Sequence, residues 1–204
     1  MEVSEKKYKL KIITSTVREG RKGPAVAEWV AEVAKKTTDF DIEVVDLGLL
    51  NLPLSTEPNH PRLGQYLHDA TKKWSSTISQ ADAFIFVTAE YNHSLPAPLK
   101  NALDTLSLEW GYKPAGIVSY AGVSAGTRAA NALIEVLTTL RMVPLLEAVH
   151  IPFFTQYINA ENQKFEPGEI TATSAIELLK ELKIWTKGLH TIREEKKRLS
   201  SVGK

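Results

Sequence analysis

Arg18, Arg21 and Lys22 stand close together in Thr14-Ser15-Thr16-Val17-Arg18-Glu19-Gly20-Arg21-Lys22-Gly23-Pro24, with Ser15 and Thr16 before them and Gly23-Pro24 after. Cations beside short hydroxyl donors make an anion site, and a phosphomonoester is the ligand they suit. A helix opening here adds unpaired backbone N–H groups and the positive end of its dipole. Pro24 fits a first helical position, and Gly23 lets backbone come close to a ligand. The plain alternative is a solvated turn whose cations face water.

Two further stretches carry unusual side chains. Thr88-Ala89-Glu90-Tyr91-Asn92-His93-Ser94-Leu95-Pro96-Ala97-Pro98 offers a flat face at Tyr91, a donor and acceptor at Asn92, and exposed backbone amides. That set suits the edge of a planar heterocycle. Without a ligand it reads as a turn in which Tyr91 covers a helix start and His93 faces solvent. Ser119-Tyr120-Ala121-Gly122-Val123-Ser124-Ala125-Gly126-Thr127-Arg128 is small and hydroxylic, so backbone can approach closely, although such turns also occur without ligands. Glu90 could orient a ligand, while Asp82 and Asp104 are expected to cap helices or lie on the surface. The first loop contains neither Gly-x-Gly-x-x-Gly nor Gly-x-x-x-x-Gly-Lys-Ser/Thr, against a standard dinucleotide fold and a P-loop nucleotidase. His60, His68, His93, His150 and His190 are scattered, so no metal site is expected.

Hydrophobic period supplies the elements that would position these stretches. Strands are predicted near 8–14, 42–46, 83–88, 115–120 and 144–149; Ala83-Phe84-Ile85-Phe86-Val87 is a near-continuous apolar run, as in a central parallel strand. Helical spacing recurs over Val26 to Lys36, in Leu63, Leu67, Ala70, Trp74 and Ile78, in Leu99, Ala102, Leu103 and Leu106, and in Leu133, Val136, Leu137 and Leu140. Leu178, Leu182, Trp185, Leu189 and Ile192 predict a last helix on the sheet, with Arg193 to Lys204 fraying into solvent. This alternation predicts an α/β fold, a flavodoxin-like doubly wound five-stranded parallel sheet of order 2-1-3-4-5 with helices on both faces. Its ligand would lie where the winding reverses, between the first and third strands, so the loops after strands one, three and four should meet. Leu49 to Pro61, Thr88 to Pro98 and Pro152 to Gly168 are long connections, functional or merely irregular.

With 204 residues, 1–204 is read as one domain. Twenty-five Lys and Arg against 24 Asp and Glu give a net charge of +1, so no broad field draws nucleic acid or an anionic membrane. The absence of cysteine excludes disulfides, thiolate metal sites and cysteine nucleophiles, and leaves redox chemistry to a cofactor. Met1 to Lys9 is polar with no apolar signal core, and no segment reaches membrane-spanning length, so the cytoplasm is the expected location.

At the three loops the chain resembles the NAD(P)H-dependent FMN reductase family, whose members include quinone and azo-compound reductases on a flavodoxin-like fold. The match runs from about Lys9 to Ile151 and is strongest in Ser15-Thr16-Val17-Arg18-Glu19-Gly20-Arg21, in Glu90 to Asp104 and in Ser119 to Gly126. The resemblance implies that Ser15, Arg18, Arg21, Lys22 and Gly23 hold the FMN phosphate. It places Glu90, Tyr91 and Asn92, after Ala89, along the flavin ring, and Ser119, Tyr120 and Gly122, with Ala121 between them, at its other edge. It further implies hydride transfer from NADPH or NADH through FMN to a small-molecule acceptor such as a quinone, azo compound or free flavin, in a homodimer with the site near the interface. No catalytic side-chain acid or base is required, since the flavin carries the reaction. Trp110 is expected in interface packing or beside the open ring face.

Two positions depart from the family's usual pattern: Ala89 stands where proline precedes Glu-Tyr-Asn, and Ala121 where glycine follows Ser-Tyr. Proline fixes φ and glycine permits close approach, so both bear on how the loops hold the ring; binding is expected to survive. The competing readings are a non-enzymatic electron carrier holding FMN and a redox-sensing interaction protein.

Overall fold

The computed structural model describes residues 7–202. Its parallel strands are β1 (Lys9–Thr14), β2 (Asp41–Asp46), β3 (Ala83–Ala89), β4 (Pro114–Tyr120) and β5 (Val143–Ile151), in the order β2-β1-β3-β4-β5. This is the expected doubly wound order, with the winding reversing between β1 and β3. β3 is buried along its whole length, because both faces are covered and its side chains alternate between two cores. Ala83, Ile85 and Val87 join Leu10 and Ile12 on one face, while Phe84 and Phe86 join Ile13 and Ile117 on the other.

The helices are α1 (Gly23–Thr37), the short α2 (Leu47–Leu50), α3 (Asp69–Ser79), α4 (Ala97–Asp104), α5 (Thr127–Thr139) and α6 (Glu169–Val202). Apolar residues of α1 and α6 cover the first face; those of α3, α4 and α5 cover the second. Among the described residues no helix is long and apolar enough to cross a membrane. Trp110 sits deep in the second core, fully buried, 5.1 Å from the Phe84 ring and 6.0 Å from that of Trp74. Its indole N–H donates to Leu103 O at 3.2 Å, so it belongs to the core and neither faces a ring site nor packs an interface.

Three local expectations change. The third helix starts at Asp69, not near Leu63: Gly64 takes φ 62 and ends a short 3-10 turn at Pro61–Leu63, leaving Leu63 and Leu67 exposed. Leu106 is buried but lies beyond α4, reached by a loop. The end does not fray at Arg193, since α6 continues to Val202; residues 203 and 204 lie outside the described residues, as do 1–6 of the polar start. Arg193 Nη2 donates to Asp82 and Nη1 to Tyr112 O, both at 2.8 Å, and Lys197–Glu194 and Arg198–Glu195 pair one turn apart, so that end is docked and internally braced. Asp82 also accepts from Lys9 N–H, while Asp104 pairs with Lys100 on α4. Lys113, just before β4, is 5% exposed; its Nζ donates to Ile78 O at 2.9 Å and Ser79 O at 3.3 Å, and burial pushes its amine down to about 7.

Candidate functional site

β1, β3 and β4 end at the same edge of the sheet, and the loops that leave them enclose a cleft of about 200 Å³. The first loop leaves β1 already anchored. Ser15 N–H donates to Val87 O at 3.1 Å, and Ser15 Oγ accepts from Ala89 N–H at 3.1 Å. Arg18 Nε donates to the Tyr91 hydroxyl at 3.1 Å, and Lys22 Nζ to Gln163 Oε1 at 2.6 Å. Arg21 Nη2 lies 2.8 Å from Asp46, which also accepts from Gly48 N–H and Thr14 Oγ1. Burial alone would push the Asp46 carboxyl up, but these three donors together hold it below the usual carboxylate range.

An anion fits this cradle. α1 starts after Lys22 with Pro24 in its first turn and no side chain capping its amides. Arg21 Nε is buried and is the one such atom without a partner among the described residues. With Arg21 balanced by Asp46, Arg18 and Lys22 remain to meet a phosphomonoester dianion. Gly23 is needed for a steric reason: a Cβ there would lie 2.7 Å from Tyr120 Oη and 2.9 Å from Thr16 Oγ1.

The loop after β3 closes in two residues. Tyr91 and Ser94 exchange both backbone hydrogen bonds at 3.0 Å while Asn92 and His93 take φ 49 and 67, the signature of a type I′ turn. Tyr91 is thereby held over the cleft, and His93 is exposed as expected. Glu90 lines the cleft and is also tied to the protein. Its carboxylate pairs with Arg128 and accepts Arg128 N–H at 3.1 Å, which joins this loop to the start of α5. Burial opposes ionisation, but Arg128 and the Ser124 hydroxyl outweigh it and keep the group below its ordinary value.

After β4, Tyr120 packs its ring 4.7 Å from Phe154 with its hydroxyl 3.5 Å from Thr16 Oγ1, and burial pushes that phenol up to about 12. Ala121 keeps a negative φ, so glycine's freedom is not required there. Gly126 does require it: φ is 79, and a Cβ would lie 2.9 Å from Tyr120 N. The turn also spells Gly122-Val123-Ser124-Ala125-Gly126, the pattern of a nucleophile elbow between strand and helix. The Ser124 hydroxyl is engaged by Glu90, while His150 lies 2.7 Å from the oxygen of Ser119, which is fully buried and donates to Ala125 O, so the elbow serine has no histidine beside it.

Arg18, Arg21, Lys22, Ala89, Glu90, Tyr91, Tyr120, Ala121 and Gly122 line one cleft. Ser15 and Gly23 support it from beneath, Asn92 sits in the exposed turn, and the Ser119 hydroxyl is turned to Ala125 O and His150. Thr16 and Phe154 also line the cleft. Thr16 stood in the hydroxyl run of the first loop, but nothing in the 152–168 connection signals that its 3-10 turn at Phe154–Tyr157 returns to the site. Asp46 and Arg128 reach the site through ion pairs with Arg21 and Glu90, residues distant in sequence.

The sequence pattern of a family described as NADPH-dependent FMN reductase matches residues 8–156. An NAD(P)H-dependent FMN reductase of Schizosaccharomyces pombe is 42% identical over 147 residues, 71% of this chain and 74% of the relative. An NADPH:quinone oxidoreductase of Arabidopsis thaliana is 32% identical over 128 residues, 61% of this chain and 60% of the relative. The fold is that of a flavoenzyme NAD(P)H:(acceptor) oxidoreductase from Paracoccus denitrificans, with TM-score 0.69, 20% identity, and coverage of 89% of this chain and 98% of that one.

Proposed function

This chain belongs to the NADPH-dependent FMN reductase family, and from that premise we propose that its three-loop cleft holds FMN and that its electron acceptor is a small quinone, azo compound or free flavin. It is a flavin-dependent oxidoreductase with FMN as cofactor and NAD(P)H as co-substrate. The observation that carries the site assignment is the convergence of the cationic cradle with the turns after β3 and β4 on one cleft. The buried, unpartnered Nε of Arg21 adds a donor that a phosphate oxygen would satisfy.

FMN, when bound, supplies two-electron transfer between reduced nicotinamide and acceptor. The chain's residues position and shield. Ser15, buried beneath the cradle, accepts Ala89 N–H and so fixes the first loop against the turn after β3. Arg18, Arg21 and Lys22 neutralise the phosphate; Tyr91 offers a flat face to a planar reactant. Tyr120, held un-ionised across the neutral range, is a hydroxyl donor rather than a base. With Glu90 tied to Arg128, no side chain of the cleft is assigned as a catalytic acid or base, and none is needed. We assign a homodimer working in the cytoplasm as the functional state, and treat residues 1–204 as its single domain.

The purified protein should absorb near the visible bands of flavin, and NADPH or NADH should bleach it until quinone is added. A colourless protein that does not retain added FMN would overturn the site. A yellow protein that neither nicotinamide bleaches would overturn the reaction.

A further inference from the structure

At the opposite edge of the sheet, where β4 and β5 begin, lies a cavity of about 440 Å³. Arg62, Arg141 and Lys196 line it together with Tyr112 and the apolar residues Leu108 and Leu140. No carboxylate lines it, and among the described residues none of the three cations forms an ion pair. Glu109 flanks the wall but is turned away, accepting from Ser75 Oγ at 2.6 Å and from Tyr66. The geometry is built rather than incidental. Tyr112 and Arg141 both take φ 61, unusual for residues other than glycine, and are locked to each other by Tyr112 N–H to Arg141 O at 2.8 Å. Lys196, from α6, sits with its Nζ 4.6 Å from the Tyr112 ring centre, and both Lys196 and Arg141 draw the phenol below its ordinary value.

We propose that this cavity is a second anion site, separate from the cleft, that takes a small organic phosphate: the phosphate on Arg62, Arg141, Lys196 and the Tyr112 hydroxyl, the flat apolar body on Leu108 and Leu140. Cations held together without a carboxylate repel one another, and an anion relieves that repulsion. Guanidinium groups suit phosphate oxygens by their paired donors, and an apolar floor favours an ester over the free ion.

The test is isothermal titration of FMN-saturated protein, so that the cleft's own cradle is filled, with 1-naphthyl phosphate, 1-naphthol and inorganic phosphate as probes. The naphthyl ester should bind saturably and more tightly than either other probe, weakening as salt is raised. Arg141→Asn, a residue that tolerates left-handed backbone, combined with Lys196→Gln should weaken it roughly tenfold or more while flavin absorbance is kept. Absence of binding by the naphthyl ester, equal binding by 1-naphthol, or an unaltered isotherm in the double variant overturns the proposal.

Discussion

Arg18 joins the cationic loop to the aromatic one through its hydrogen bond to Tyr91, so charge and ring placement depend on one guanidinium. Reversing it, Arg18→Glu, puts like charge beside the phosphate and should weaken FMN retention by well over tenfold in a folded protein; an unchanged flavin titration would remove Arg18 from the site. Ala89 gives a contrasting case. Where the family usually carries proline, this chain has an N–H that holds Ser15 Oγ, so the replacement tightens the join between loops instead of loosening it. Ala89→Pro should therefore cost about 1 kcal/mol, read as a lower Tm, with flavin still retained; complete flavin loss would mean that the alanine does more than hold Ser15. The cations and Tyr91 were legible from residue type and local spacing. Arg128 and Asp46 were not, because their roles arise from ion pairs across 38 and 25 residues that no local pattern encodes.

The turns around the cleft are held to one another as well as to their strands. Glu90 spans the joint between the β3 turn and the start of α5, so Glu90→Gln should cost about 1 kcal/mol and raise amide exchange over 121–127, measured by mass spectrometry. Equal exchange in both proteins would show that backbone bonds alone fix that turn. The order of strands was readable because each apolar run and each helical stripe follows the period its element requires. Helix ends were less readable. Gly64 and the two-residue turn at Asn92-His93 act through positive φ, which composition suggests but does not locate. The last turns of α6 were misjudged for a different reason: a charged, small-residue segment looks solvated until its i,i+3 pairs and the docking of Arg193 are seen.

Across the molecule, two apolar cores are separated by a sheet whose central strand is wholly buried, and the cleft is simply the open end of that arrangement. Trp110 fills the second core far below the cleft, so Trp110→Ala should cost about 3–5 kcal/mol in denaturant titrations and leave the flavin spectrum of the folded fraction unchanged. A changed spectrum at equal folding would contradict its purely internal place. A second whole-molecule property follows from the lysine beneath the β4 strand. The unfolded chain keeps the Lys113 proton up to the ordinary value of 10.5, whereas the folded protein gives it up near 7. Between those limits the unfolded state holds more protons, so stability climbs as the medium is made alkaline. A Tm series from pH 7 to 10 should rise in the wild type and flatten in Lys113→Met. Mild alkali, which loosens many proteins, would then remove a charge that this fold has to bury beneath its sheet.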